Sequence, residues 1–172
     1  MKTKTRRSLL FLLASVLMAS ILSVSASVFA GTRVGAAELT NEDYYVHSVG
    51  IRLVDDEYGT GLRFIARMNK DKYDAVKDLS LKTGVIVLPQ AFITDDFDKN
   101  TASILNIDTT DVWQETTDTD GNAVMQAIAY VYNFPQSMYG LKLVAKGYAS
   151  ITENGAESEF YTAKSPAYSL TD

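Results

Sequence analysis

The chain has 172 residues, no cysteine, and 16 basic against 21 acidic residues, a net charge of −5. Lack of cysteine excludes a disulfide framework, a thiol nucleophile and a Cys-ligated metal site, so stability has to come from packing. The acidic balance excludes a surface built to follow a phosphate backbone, which needs concentrated Lys and Arg, and no nucleic-acid partner is expected.

The first residues carry the three-part pattern of an export signal. Lys2, Lys4, Arg6 and Arg7 precede an uncharged, Leu- and Ala-rich run over residues 8–22, and Val28 and Ala30 supply small residues at a cleavage site. The uncharged stretch over residues 8–32 is also long enough to span a bilayer. Its Ser- and Ala-rich end favours removal, and with no second hydrophobic segment no membrane span is expected after cleavage. The expected organisation is a signal peptide over residues 1–30, a lead-in over 31–43 and a single secreted domain over 44–172. Removing the four leader cations leaves 12 basic against 21 acidic residues, a net charge near −9. The expected location is secreted or at the cell surface.

Alternation predicts a strand over residues 45–54, in which Tyr45, His47, Val49, Ile51 and Leu53 share a face. A turn at 55–61 returns the chain into 62–68, where Leu62, Phe64, Ala66 and Met68 align, and the two stretches form a hairpin. Residues 71–81 read as a short amphipathic helix with Tyr73, Val76 and Leu79 inward. The apolar run over 84–88 stops at Pro89 and reads as an internal or parallel strand. Residues 90–111 show no clear period; residues 112–116 read as extended. The run over 123–134 is apolar on both alternating faces, which predicts a central strand with a helix as its competitor. Residues 141–151 and 157–163 form a hairpin about Glu153-Asn-Gly155. The fold class that follows is α+β: a predominantly antiparallel sheet with one or two packed helices, in one domain.

Candidate chemistry is sparse. His47, the single histidine, lies in phase with strand residues, and Ser48 beside it points to the opposite face, so no Ser-His pair forms there. Asp118, Asp120 and Asn122 surround Gly121 like the middle of a calcium loop, yet Thr116 and Ala127 stand where the first Asp and the closing Glu belong. Calcium is therefore a secondary expectation against a plain hairpin turn, and no other cofactor is expected. No spacing among the acids selects a pair for glycosidic acid–base work. Arg52, Arg63 and Arg67 form a more specific group: once the first two strands pair, Arg52 and Arg63 lie near the turn as a short basic strip suited to a carboxylate or phosphate, against the plainer reading that the arginines pair with Asp55, Asp56 or Glu57 and order the turn. Trp113 and Tyr148 add aromatic surface for stacking on a sugar ring, against the plainer reading of Trp113 as a core or rim residue.

In order, Gly50-Ile-Arg52, Gly61-Leu-Arg-Phe64, Gly84-Val-Ile-Val-Leu-Pro89, the run over 123–134, Ala145-Lys-Gly-Tyr148 and Tyr161-Thr-Ala-Lys-Ser165 resemble an uncharacterised extracellular module. That module occurs in exported and cell-surface proteins of Gram-positive, often gut-associated, bacteria, beside carbohydrate-active or adhesive domains. The resemblance covers most of residues 45–172 and implies a location and a context, with no active-site residue to carry over. Lys146 and Lys164 stand where related modules carry Arg.

The functional expectation is a non-catalytic surface module contacting wall or host glycan or a neighbouring surface protein. Its candidate contacts are Arg52, Arg63, Arg67, Trp113 and Tyr148. The competing expectations are a small glycan hydrolase with two carboxylates and a structural spacer.

Overall fold

Eight strands and one short helix are built from the described part of the chain. In the computed structural model this comprises residues 38–52 and 60–172, without the side chains of 47–52. The expected signal peptide and the turn at 55–59 lie outside the described residues.

The strands are β1 (Tyr44–Arg52), β2 (Gly61–Asn69), β3 (Lys82–Pro89), β4 (Leu105–Asp108), β5 (Gln114–Thr117), β6 (Ala123–Val131), β7 (Leu143–Glu153) and β8 (Ala156–Tyr161); helix α1 (Lys70–Val76) follows β2. All pairings are antiparallel. They make two sheets of four, in the orders β1-β2-β6-β5 and β4-β3-β7-β8. The α+β, sheet-dominated expectation is met, with a single α-helix among the described residues; the division into two sheets is new. Strand β3 is internal, as its apolar run predicted, but antiparallel to both neighbours.

Period-two burial explains how the sheets meet. Leu62, Phe64, Ala66 and Met68 of β2 and Ala127 and Ala129 of β6 face Val85 and Val87 of β3 and Ala145, Ala149 and Ile151 of β7 in one core. Alanines at the middle of β6 and β7 let the two sheets approach, and aromatic rings fill the rest. Tyr44 is fully buried, and its hydroxyl donates across the interface to the carbonyls of Tyr148, at 3.2 Å, and Gly84, at 3.5 Å. Burial pushes that phenol far above its ordinary range.

Two glycines are dictated by this packing. A Cβ at Gly147 would lie 2.7 Å from the Tyr44 hydroxyl and 2.9 Å from a Val46 methyl. One at Gly61 would lie 2.3 Å from the backbone oxygen of Val131.

The helix is shorter than its periodicity predicted. The Asn69 side chain caps it by accepting from the backbone N–H groups of Asp71 and Lys72, and it ends at Val76. The chain then turns, with Ser80 at φ 51°. Val76 is still buried, and Tyr73 and Leu79 pack on the core as expected. Of the region without period, residues 90–104 are a strap across the outer face of the second sheet, and Leu105–Asp108 is the strand β4. There Phe97 packs with Ile86, Leu88 and Val144 in a separate apolar cluster.

Candidate functional site

Strand register decides which polar side chains meet on the outer face of the first sheet. Arg67 lies opposite Tyr45 on one side and Gln126 on the other, and Gln126 lies opposite Gln114. Directly opposed residues of an antiparallel pair project to the same face. Tyr45, Arg67, Gln126 and Gln114 therefore form one row across four strands. Two residues along β2, Ile65 pairs with Ile128, and two further on Arg63 pairs with Tyr130. The rings of Tyr130 and Tyr132 are stacked, with centroids 5.2 Å apart and planes 12° from parallel.

Within the row, the Arg67 Nε donates to the Gln126 side-chain oxygen at 3.1 Å. That bond fixes the plane of the guanidinium and leaves its two terminal nitrogens as a fork. Arg67 is half-buried, and among the described residues no carboxylate pairs with it. By contrast Lys70, Lys72, Lys77, Lys99, Lys142, Lys146 and Lys164 each lie within 4 Å of a carboxylate.

At the end of the strip nearest α1, the face opens into a cleft of about 360 Å³ whose lining includes Tyr45, Asn69, Asp71, Asp118 and Asn122. Lys70, also in its wall, is bound to Asp74 and lies 3.7 Å from Glu115; the Asp74 hydrogen bond holds its ammonium above the ordinary range.

The three residues of the calcium expectation lie at the β5–β6 turn, where Asp118 and Asn122 are hydrogen-bonded. One oxygen of Asp118 accepts from the backbone N–H groups of Asp120 and Asn122, and the other accepts from the Asn122 amide at 3.0 Å. Those bonds, led by Asn122, hold the Asp118 carboxyl below its usual range. Asp118 and Asn122 thus serve the turn and each other, with Gly121 at φ 89°. Among the described residues no group of three or more acidic or histidine side chains is placed to hold a metal ion.

The other predicted contacts are dispersed. Arg52 pairs with Gly61 at the turn end of the first sheet; its side chain, like that of His47, lies outside the described residues. Trp113 is not part of the strip. Its Nε1 donates to the Thr83 hydroxyl at 2.9 Å, and its ring packs against Tyr44 and Tyr73 at the margin of the core.

Tyr148 lies on the outer face of the second sheet, tilted against Tyr161 at 6.2 Å. This neighbourhood belongs to Lys146, whose side chain is only 5% exposed. Its ammonium donates to both Asp96 oxygens at 3.0 Å and to the Phe97 carbonyl at 3.1 Å. It also sits over the rings of Phe97 and Tyr161. Three donors meet three acceptors, so the buried cation is satisfied and clamps the strap to β7. The Lys146 hydrogen bonds hold the Asp96 carboxyl below its ordinary range, and Lys164 adds to this from 3.9 Å.

The same geometry accounts for the two C-terminal motifs. The Gly147 N–H donates to the Thr162 hydroxyl and the Ala145 N–H to the Ser165 hydroxyl. Ala145-Lys-Gly-Tyr148 and Tyr161-Thr-Ala-Lys-Ser165 are thus two halves of one structural joint. The sequence does not single out Tyr45 and Gln126, which flank Arg67, or Gln114 beyond Gln126. Gln126 alternates with Ile128, Tyr130 and Tyr132, but only the pairing register attaches that face to Arg67.

No family model matches the chain, and neither a curated protein nor a solved structure matches it.

Proposed function

We propose that this chain is a non-catalytic binding module, exported to the medium or the cell surface, that contacts a glycan through the outer face of its first sheet. The observation that carries this reading is the continuous strip: the row Tyr45, Arg67, Gln126 and Gln114, extended by the Tyr130–Tyr132 stack. Sugar rings have apolar faces that stack on aromatic rings and hydroxyls that pair with amide and guanidinium groups, and the strip presents both kinds of contact. A sandwich supplies a rigid platform for it, because side chains on strands are held by their neighbours on both sides.

The hydrolase reading draws less support. A general acid working near neutral pH needs a carboxyl raised from its ordinary range. Asp74, Asp96, Asp98, Asp108, Asp118, Glu157 and Asp172 are all displaced downward by hydrogen bonds.

The test is retention of the purified protein on peptidoglycan, cellulose and mucin glycans, with and without Ca²⁺. Saturable retention that falls with Tyr45→Ala while the fold persists supports the glycan reading. Failure on every polymer would end it and turn attention to a protein partner. Retention that requires Ca²⁺ would contradict the assignment of Asp118 to the turn. Export is tested separately by N-terminal sequencing of secreted material, which should begin at Gly31.

A further inference from the structure

Arg67 is a half-buried cation with no carboxylate partner among the described residues. The lysines around it are matched to carboxylates, whereas its guanidinium is half-buried in an acidic chain with a neutral amide for a partner. Removing a cation from water without a counter-charge is costly, and the cost is offset when an anion arrives from outside. The fork left free by the Gln126 bond has the spacing of two parallel N–H···O bonds.

Resting on the glycan reading, we propose that the strip selects an acidic polysaccharide, with a sugar carboxylate seated on the Arg67 fork. The adjoining side chains make a consistent bed for it. Tyr45 lies beside Arg67 as a stacking surface for the sugar ring, and Gln126 and Gln114 extend the row as partners for its hydroxyls. Asp71 and Asp118 line the cleft beyond Asn69, so like-charge repulsion directs the carboxylate to the Ile65 side of the row and leaves neutral hydroxyls toward the cleft.

The experiment is calorimetric titration of the full protein with polygalacturonate, hyaluronate and solubilised peptidoglycan, each beside its methyl-esterified form, and with dextran sulfate. At least one acidic polymer should bind ten-fold or more tightly than its ester. Arg67→Gln should abolish that difference, and Arg67→Lys should restore only part of it, since an ammonium keeps the charge and loses the fork. Gln126→Leu, which frees the guanidinium plane, should weaken the preference without removing the cation. Esters binding as tightly as acids would overturn the carboxylate assignment and leave the glycan reading standing. Dextran sulfate binding as tightly as the best carboxylate polymer would reduce the site to unspecific charge and also overturn it. Absence of binding to every polymer would remove both.

Discussion

The outer faces of the two sheets start from similar materials, tyrosines and long cations on central strands, and the chain treats them differently. On the second sheet, Lys146 and Tyr161 lie under a strap that brings Phe97 onto Ile86, Leu88 and Val144 and Asp96 onto the ammonium. Every donor of the cation is used, and the aromatic surface goes into packing. On the first sheet, Arg67 keeps two terminal nitrogens beyond its Gln126 bond, and Tyr130 and Tyr132 stack on each other. The lesson is that a cation among tyrosines does not mark a site. What separates a clamp from a recognition surface is whether the chain itself supplies the counter-charge.

That comparison can be broken from either side. The largest effect is expected at the strap. Phe97→Ala removes a side chain that is 3% exposed, and buried Phe truncations cost about 3–5 kcal/mol. The check is a urea melt together with faster proteolysis within residues 90–104; unchanged proteolysis would mean the strap is held by something else. Next, Asp96→Ala leaves a buried ammonium with one carbonyl acceptor, at a cost of about 2 kcal/mol. Lys146→Met keeps the buried stem and removes the charge, so it should cost less than about 1 kcal/mol. Combining Lys146→Met with Asp96→Ala should then cost far less than Asp96→Ala alone, which a double-mutant cycle measures directly.

A smaller change separates packing from recognition. Trp113→Phe loses the bond to Thr83 and should destabilise by about 1 kcal/mol with glycan retention unchanged. Reduced retention at full stability would move Trp113 back into the site. On the first sheet, Arg67→Gln should alter stability by less than about 1 kcal/mol, since it loses no carboxylate partner within the described residues, while polymer retention falls ten-fold or more. The smallest effect concerns acid. Asp96 has a folded-state pKa below its unfolded value, so its contribution is complete above the ordinary carboxyl pKa of about 3.9 and is lost as pH falls through the folded value. As pH falls below about 4 the parent should lose stability relative to Lys146→Met. Parallel acid limbs in urea melts of the two proteins would argue against it.

Legibility in the sequence followed the range of the interactions. Strands β2 and β7 are legible by alternation, and β8 as the return arm of a hairpin at Asn154 and Gly155, whose φ values of 52° and 81° suit a tight turn. The buried face of β2 was readable residue by residue, because each position either meets the core or does not. Helix α1 was overrun at its C-terminus: Leu79 fits the helical period, yet it meets the core from a turn. Residues 90–104 had no period to read, since a strap is held by isolated anchors such as Phe97 and Asp96. At the candidate site, Arg52, Arg63 and Arg67 are visible as a group, but residue type alone joins Trp113 and Tyr148 to them. Their positions depend on which sheet each strand joins.

By itself the amino-acid sequence determined the local periods, the cystine-free and sheet-dominated character of the chain, the turn chemistry at Asn154–Gly155 and the buried face of β2. These depend on neighbours within a few residues, where side-chain alternation and backbone preference act directly. Tertiary structure alone decided that eight strands split into two sheets, that Gly147 must make room for Tyr44, that Lys146 is neutralised by Asp96 fifty positions away, and that Arg67 is not neutralised by any described carboxylate. Each of those outcomes is a pairing between distant segments, and no one-dimensional pattern encodes which of 21 acids will arrive beside a given cation.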